Sequence, residues 1–317
     1  IYNEAAHLTK VLTSLFDQLV ENCIVVAVDD ASTDNSLELL REMAQQESRL
    51  QVVAQSHNQG PSAARNAGVQ ATDAELLFFV DGDGVLCDGA LQCLLNALHS
   101  SPTHLGCNGI IALEQGTNLT STFVTASLHH QLRQHGESVE TAFTALCLLR
   151  RAAWEQMGGW DESKRSRYAD DVATRWSLPE ESIMQVFAAQ VRHQKHVQPL
   201  GLFKHRVNIG HHFVHSLRAA PKGNRAKRAV IDRRYPINTL LMVITPVTLV
   251  PGIGVGWAYF FYRNNKAFLN CFAKEYGRLR AAQTIPLLCL EGAGYALGIL
   301  RGALTSLGAQ NGIADET

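Results

Sequence analysis

An alternation of short apolar runs with amphipathic stretches is the feature that most constrains the fold of this chain. The runs at residues 23–30, 50–55 and 74–81 are rich in Val, Leu and Phe and are typical of buried strands. Residues 5–20 and 32–46 carry apolar positions at helical spacing. Strands that alternate with helices predict an α/β fold, with a mostly parallel sheet and helices on both of its faces.

Carboxylates stand where two of these strands end. Asp29 and Asp30 end the first run, and Asp81 and Asp83 follow the third with only Gly82 between them. Ligands of such sheets bind at the carboxyl ends of the strands, so we expect these residues to line one crevice.

Two carboxylates held this close raise the cost of ionising each other, and a bound divalent cation removes that penalty. Mg²⁺ in proteins is typically held by one or two carboxylates together with substrate phosphates. The D-x-D pair therefore predicts Mg²⁺ or Mn²⁺ and a pyrophosphate ligand, and Gly82 allows the backbone to approach that ligand. The alternative is that Asp81 and Asp83 only form a turn.

Composition narrows the function classes. A formal net charge of -1 gives no bulk attraction for nucleic acid, and no nucleic-acid partner is predicted. The seven cysteines include no C-x-x-C pair, which favours a reduced, cytoplasmic environment over a disulfide framework or a zinc site. The chain enters YNEAAHL directly after Ile1, so we expect it to be a fragment that lacks its first strand.

Five segments give the chain a family resemblance. YNEAAHL, VAVDDASTDNS, HNQGPSAARNAG, FFVDGDG and MGGWDE occur in this order. The series resembles the family 2 glycosyltransferases, the large group of inverting nucleotide-sugar enzymes with the GT-A fold. The resemblance covers roughly residues 1–200 and implies a GT-A type, Rossmann-like sheet.

The resemblance also implies a donor site. It assigns nucleotide-sugar binding to Tyr2, Glu4, Asp30, Arg65, Asp81 and Gly82. By resemblance, Asp83 contacts the metal and Asp81 contacts the ribose or the metal shell. Asp30 would hydrogen-bond the nucleobase, against which Tyr2 would pack, and Arg65 would border the pocket. AAQVRHQKH is similar to a late A-x-V-x-H segment of the family, which makes His193 a candidate metal ligand; the alternative is a structural histidine.

Inverting transfer to a hydroxyl needs a general base behind the nucleophile. By resemblance, the family places this base in an acidic pair after a GG-aromatic-D-E segment. In this chain the segment GGWDESKRSRYADDVATRW supplies Asp170 and Asp171. The first position of the pair is Asp, where Glu is more usual in the family. We predict Asp171 as the base and Asp170 as its neighbour; a solvated helix start is the alternative. Gly159 and Trp160 would shape the acceptor pocket, and the alternative for Trp160 is core packing.

The C-terminal third differs in character. Residues 201–236 are basic. Residues 237–262 contain no charged side chain, and this segment is longer than the ~20 residues that are needed to span a bilayer. Because the segment that follows is basic too, we predict a re-entrant or shallow interfacial insertion that returns to the cytoplasmic face. A simple span and a buried helical pair are the alternatives. The predicted domains are therefore a catalytic domain (1–200), a basic interfacial segment (201–236) and a helical membrane-associated region (237–317).

Together these observations predict a metal-dependent inverting glycosyltransferase on the cytoplasmic face of an anionic membrane, acting in cell-envelope glycan synthesis. The donor would be a nucleoside-diphosphate sugar and the acceptor a lipid-linked sugar or polyprenyl phosphate. One alternative is a soluble transferase that acts on saccharide or protein. The other is a non-catalytic protein that binds sugar nucleotides.

Overall fold

The structure of the chain is a computed structural model that describes residues 1–134, 136–139, 141–162, 178–193, 196–219, 234–244 and 253–310. The chain divides into two units. The first consists of Ile1–Leu113 and His135–Lys195, and the second of Glu114–Gln134 and His196–Thr317. Residues 114–134, which lie inside the predicted domain 1–200, thus belong to the second unit.

The elements run as follows. In chain order as far as β8 they are α1 (Ala5–Phe16), β1 (Val25–Asp29), α2 (Ser36–Gln46), β2 (Leu50–Ala54), α3 (Pro61–Gln70), β3 (Leu76–Val80), β4 (Gly84–Leu86), α4 (Ala90–Ser100), β5 (Gly106–Ile111), α5 (Leu119–Arg133), β6 (Ser138–Val139), β7 (Leu146–Arg150), α6 (Arg151–Met157) and β8 (Ile183–His193). They are followed by α7 (Pro199–Ala219), α8 (Arg234–Ile244), α9 (Ile253–Tyr276), α10 (Arg278–Gln283) and α11 (Ile285–Gln310).

The predicted α/β class is confirmed, and the three predicted strands are β1, β2 and β3. Helix α1 buries its apolar face on the predicted spacing, at Leu8, Val11, Leu12 and Leu15. It ends at Phe16 rather than at residue 20, because the Gln18 N–H bonds to the Leu15 carbonyl at 3.0 Å in a tighter turn. Burial of each such leucine or valine contributes about 1.5–3 kcal/mol to stability.

Helix α2 begins at Ser36 rather than at residue 32, because the residues before it bond to the start of the chain. The Ser32 hydroxyl accepts a hydrogen bond from the Asn3 N–H (3.0 Å), and the Asp34 carboxylate accepts from the N–H groups of Ala5 (3.2 Å) and Ser36 (3.0 Å). Burial raises the pKa of Asp34, but hydrogen bonds from Ser36 and Ala5 outweigh it, and the net pKa lies below its ordinary value.

Strand directions are more mixed than the mostly parallel sheet that was predicted. Strand β1 pairs with β2 in parallel, and a second sheet has the order β3-β7-β5-β8-β4, with β6 also on β8. In that sheet β5 and β8 are parallel, whereas β3–β7, β5–β7, β4–β8 and β6–β8 are antiparallel. The short turn 81–83 separates β4 from β3. Strand β7 follows β5, α5 and β6 in the chain, and it enters the sheet between β3 and β5, antiparallel to both.

In the second unit, α7 and α11 approach at a stripe of small residues. The stripe consists of Gly294, Gly298 and Gly302. A Cβ at Gly298 would lie 2.1 Å from the carbonyl oxygen of Val207, so the two backbones pack where no side chain fits. Gly294 and Gly298 belong to the segment GAGYALG, residues 292–298, whose small residues are typical of close helix packing.

Helices α8 and α9 of the second unit form an antiparallel pair. The buried amides of Asn238 and Asn265 donate to each other (3.0 and 2.9 Å), and the Trp257 indole donates to the Leu241 carbonyl (2.9 Å). The predicted apolar segment 237–262 therefore covers most of α8 and the first part of α9, and α9 continues to Tyr276. Its insertion into a membrane stays a prediction.

Among the described residues, one helical stretch has the length and composition to cross a membrane. It is Arg278–Thr305, which consists of α10 and most of α11, and 44% of its apolar window is buried. It lies downstream of the predicted segment 237–262, and a buried core helix has the same composition.

Candidate functional site

The D-x-D carboxylates meet His193 at the end of β3. The chain turns there, with the Gly84 N–H donating to the Asp81 carbonyl at 2.9 Å, and then enters β4. Strand β4 pairs with β8 so that Gly84 is opposite His193. The candidate ligand atoms of Asp81, Asp83 and His193 all lie within 4.8 Å of one another. The described part of the chain contains this one group of acidic and histidine side chains that could hold a metal ion.

The chemistry of the three side chains fits a divalent ion. Carboxylate oxygens suit Mg²⁺ and Mn²⁺, and the imidazole adds a nitrogen ligand that transition ions accept more readily than Mg²⁺ does. Asp83 has only 2% of its surface exposed, and a buried carboxylate gains most from a neighbouring positive charge. The group therefore fits Mn²⁺ at least as well as Mg²⁺.

Helix α3 places a cation beside these carboxylates. It begins with Pro61 directly after Gly60, whose φ of 93° turns the chain into the helix. One turn later, Arg65 donates from Nη2 to Asp81 Oδ1 at 3.0 Å, and its guanidinium lies 5.8 Å from the ring centroid of Trp160. A guanidinium next to a potential metal site is an arrangement that suits a phosphate or diphosphate.

Asp30 is buried and accepts hydrogen bonds from two backbone N–H groups. Its Oδ1 accepts from the Gln59 N–H (2.7 Å) and its Oδ2 from the Gly60 N–H (2.8 Å), which fixes the loop that leads into α3. Asp29 has a local role, since its Oδ2 accepts from the Ser32 N–H at 3.1 Å. A hydrogen bond donated by a nucleobase to Asp30 stays a prediction; each of its oxygens accepts one backbone bond and can accept a second.

The first residues of the chain lie at the carboxyl end of β1. The Ile1 carbonyl accepts from the Asp30 N–H at 2.8 Å, so the half-buried Tyr2 follows directly beside the site. The Glu4 N–H donates to the Ser36 hydroxyl at 2.9 Å. A Cβ at Gly82 would lie 3.2 Å from Cγ1 of Ile1, so a side chain at this position would crowd the first residue of the chain. The approach of Gly82 to a ligand stays a prediction. The contacts of Tyr2 and Glu4 with a nucleotide sugar stay predictions.

The predicted acceptor residues follow α6. Gly158 and Gly159 have φ of 73° and 81° and turn the chain, which then buries Trp160 to 3% exposure. The Trp160 ring packs edge-on against Phe79 with centroids 5.3 Å apart, so the structure favours the core interpretation of this side chain. A part for Gly159 and Trp160 in the acceptor pocket stays a prediction. The predicted catalytic pair, Asp170 and Asp171, lies outside the described residues.

Asn66, the residue after Arg65, was missed by sequence reasoning. Its amide bonds to Trp160, Trp154 and Glu162, and thereby ties α3 to the GGWDE segment. The signal in the sequence was a polar residue in the small-residue run SAARNAG, at a position where asparagine is a poor helix former.

The paired glycines give a test of this turn. Gly159→Ala is expected to lower the free energy of unfolding by about 1–3 kcal/mol, because alanine is strained in the left-handed backbone conformation of this residue. Crowding should lower the free energy of unfolding further, because the new Cβ would lie 3.1 Å from Asn66 Oδ1. Gly158→Ala is the matched control, since its φ is also positive but no atom lies within 4 Å of its Cβ. Urea unfolding of both variants measures the difference. Equal destabilisation by the two substitutions would contradict the tight fit at Gly159.

Comparison with known proteins relates part of this chain to one enzyme family. Residues 1–155 match the family model described as Glycosyl transferase family 2. This stretch is therefore similar to the family 2 glycosyltransferases. An uncharacterized glycosyltransferase of Haemophilus influenzae is 30% identical over 107 residues, which are 33% of this chain and 43% of that protein.

Two further comparisons are with named glycosyltransferases. A Campylobacter jejuni protein named GalNAc(5)-diNAcBac-PP-undecaprenol beta-1,3-glucosyltransferase is 26% identical over 123 residues, 38% of this chain and 39% of that protein. The solved structure of the mannosyltransferase PcManGT from Pyrobaculum calidifontis, in complex with GDP-Man and Mn²⁺, has a TM-score of 0.59 and 16% identity, over 96% of this chain and 85% of that one. The structural likeness shows that the fold is of the predicted GT-A type. The matches span less than half of the length of these two curated relatives.

Proposed function

We propose that this chain is a metal-dependent, inverting glycosyltransferase that moves a sugar from a nucleoside diphosphate to a hydroxyl or phosphate of an acceptor. The observation that carries the proposal is the group Asp81, Asp83 and His193, whose ligand atoms lie within 4.8 Å of one another, with Arg65 bonded to Asp81. Two carboxylates, an imidazole and a guanidinium at the carboxyl end of β3 suit the diphosphate of such a donor.

On the donor side, Asp83 and His193 would hold the divalent ion, with Asp81 shared between that ion, the ribose and Arg65. A bound Mn²⁺ or Mg²⁺ supplies positive charge that stabilises the departing diphosphate. Arg65 would add a second positive charge beside the phosphates. The nucleobase would lie near Tyr2 and Asp30, where the Ile1 carbonyl meets the Asp30 N–H.

On the acceptor side, Asp171 would remove the proton of the attacking hydroxyl. The oxygen then attacks the anomeric carbon on the face opposite the diphosphate, which leaves with the bonding electron pair, so the configuration inverts. Asp170 would be the neighbour of the base. Gly159 and Trp160 would shape the approach to this face, because the turn that they form leads directly into the segment with the acidic pair.

The acceptor that we propose is lipid-linked, in cell-envelope glycan synthesis. Support comes from the similarity to the Campylobacter jejuni protein whose name describes transfer onto an undecaprenol-diphosphate glycan. An acceptor of this kind requires access to a membrane surface.

The second unit offers an apolar surface suited to such a membrane. Large exposed apolar side chains lie on two helices, at Val255, Tyr259, Phe260 and Tyr262 of α9 and at Leu297, Leu300 and Leu304 of α11. Exposed cations accompany them at Arg263, Lys266 and Arg301. Aromatic and aliphatic groups next to cations favour the interface of an anionic bilayer, so we propose association with the cytoplasmic face of the cell membrane.

A single charge on this surface tests the membrane proposal. Leu300→Glu is expected to lower binding to vesicles that contain phosphatidylglycerol by about tenfold, because it removes apolar burial and adds repulsion. Sedimentation with the vesicles measures the bound fraction. Ile24→Glu is the control, since Ile24 is an exposed apolar residue of the first unit (42% exposed). Equal binding of Leu300→Glu and wild type would contradict this membrane surface.

The experiment for the enzymatic proposal is a panel of nucleotide sugars. UDP- and GDP-linked sugars are added to the protein with Mn²⁺, with Mg²⁺ or with EDTA, and the melting temperature is measured. The expected result is stabilisation by at least one donor with a divalent ion, which reaches about 2.7 kcal/mol at a ligand concentration of 100 Kd, and none with EDTA. Stabilisation by no donor in the presence of either ion would contradict the proposal.

A further inference from the structure

The amide of Asn66 uses all of its hydrogen-bonding capacity on one segment of the chain. Its Nδ2 donates to the Trp160 carbonyl (2.8 Å) and to Glu162 Oε1 (2.7 Å). Its Oδ1 accepts from the Trp160 N–H (2.8 Å) and from the Trp154 indole N–H (3.2 Å). An asparagine amide has two N–H donors and an oxygen with two lone pairs, so every position is occupied.

The bonds hold the backbone of the turn itself. Asn66 pairs with both the N–H and the carbonyl of Trp160, as a neighbouring strand would, directly after the left-handed residues Gly158 and Gly159. Asn66 has only 6% of its surface exposed, so a hydrogen bond lost here would leave a buried polar group unsatisfied, which is strongly destabilising. The path of the backbone from Trp160 to Glu162 is therefore held from α3.

Helix α3 faces two parts of the site with consecutive residues. Arg65 bonds to Asp81 of the metal-binding group, and Asn66 bonds to the GGWDE segment. The segment after Glu162 contains the proposed base, Asp171, nine positions further along. A shift of Asn66 relative to Arg65 would move Trp160 and Glu162 relative to the metal-binding group.

We propose that Asn66 is a positioning residue of the transfer reaction, which sets the acceptor-side segment against the donor site. The inference rests on the proposed function, because it assigns a role in that reaction. Asn66 does not itself touch the donor; it acts through Trp160 and Glu162. Its loss should therefore lower kcat and leave the affinity for the nucleotide unchanged, since a misplacement of about 1 Å can cost 10²-fold in rate.

Asn66→Asp tests this role with almost no change in side-chain shape. The variant keeps the oxygen that accepts the two N–H bonds. It replaces the NH2 group, which donates to the Trp160 carbonyl and to Glu162, by a carboxylate oxygen that can only accept. We expect kcat to fall by about 10–100-fold at pH 8. The ratio of variant to wild-type kcat should rise toward pH 5, because a protonated aspartate can again donate one of the bonds.

The measurements are kcat and KM for nucleoside diphosphate release from UDP-N-acetylglucosamine and GDP-mannose with Mn²⁺, and the Kd of UDP and GDP by calorimetry. Asn96→Asp is the control, because Asn96 is an exposed asparagine of α4 that bonds to Gln92. Trp154→Phe removes one bond to Asn66 while retaining an aromatic ring, and should lower kcat by about 3–10-fold. Trp154→Phe tests the positioning role of Asn66 if Asn66→Asp does not fold.

The outcomes distinguish a failure of the role of Asn66 from a failure of the proposed function. Lower kcat with unchanged Kd, and a ratio that depends on pH, supports the inference. The inference is overturned if Asn66→Asp folds and has the wild-type kcat. If Asn66→Asp does not fold, the inference is overturned by a wild-type kcat in Trp154→Phe. Reduced melting temperature with wild-type kcat and pH profile would show a purely structural role and overturn it as well. Wild-type protein that neither binds Mn²⁺ with UDP or GDP nor releases a nucleoside diphosphate contradicts the proposed function instead.

Discussion

Asp83→Ala is expected to abolish the divalent-dependent binding of UDP and GDP. Asp83 is the most buried carboxylate of the Asp81, Asp83 and His193 group, and without it the diphosphate loses its bridging cation. The loss should exceed the roughly 10–100-fold that removal of a supporting residue costs at a metal site. Calorimetric titration of each nucleotide with Mn²⁺ and with EDTA measures the effect.

The matched control is Asp88→Ala, which removes an exposed carboxylate five positions along the chain, beyond β4. It should bind both nucleotides as the wild type does. If Asp83→Ala retained the wild-type affinity for either nucleotide, with and without Mn²⁺, Asp83 would not be a metal ligand.

Asp171→Asn is expected to lower kcat while donor binding stays nearly intact. General-base assistance typically contributes about 10²–10⁴-fold, and asparagine cannot accept the proton of the attacking hydroxyl. The rate of nucleoside diphosphate release at saturating donor, together with the Kd of the nucleotide, gives the two quantities that this prediction separates.

Asp170→Asn is the comparison for the same reaction, since it changes the adjacent carboxylate and should have the smaller effect. A wild-type rate in Asp171→Asn would place the base elsewhere, with Asp170 the first alternative. A protein that only binds sugar nucleotides would show no turnover to lose in either variant.

The sequence predicted the parts of the fold that depend on local pattern. Apolar runs predicted β1, β2 and β3, and the position of Asp81 and Asp83 after β3 follows from where that run ends. Strand direction was beyond local pattern, because β7 enters between β3 and β5 and pairs with both in the antiparallel sense. Pairing of this kind depends on residues far apart in the chain.

The candidate site shows the same division. The register that sets His193 opposite Gly84 joins β4 to β8, and no spacing in the sequence specifies it. Only the resemblance to the family pointed to His193. Asn66 was missed because its partners, Trp154, Trp160 and Glu162, meet it only through the fold.

In the C-terminal part, composition predicted helices but not how they pair. The polarity of Asn238 and Asn265 gave no indication that their amides bond to each other inside an antiparallel helix pair. The glycines of GAGYALG were more informative, because a position without a side chain predicts close helix packing. That packing is what Gly298 shows against Val207.

The central claim is that divalent-dependent sugar transfer takes place at the Asp81, Asp83 and His193 group. The most direct measurement is the release of nucleoside diphosphate by wild-type protein from the donor that stabilises it, first with Mn²⁺, then with excess EDTA, then with Mn²⁺ restored. We expect release with Mn²⁺, none with EDTA and full recovery on restoring the ion. Release that continues at the same rate in EDTA would contradict the account.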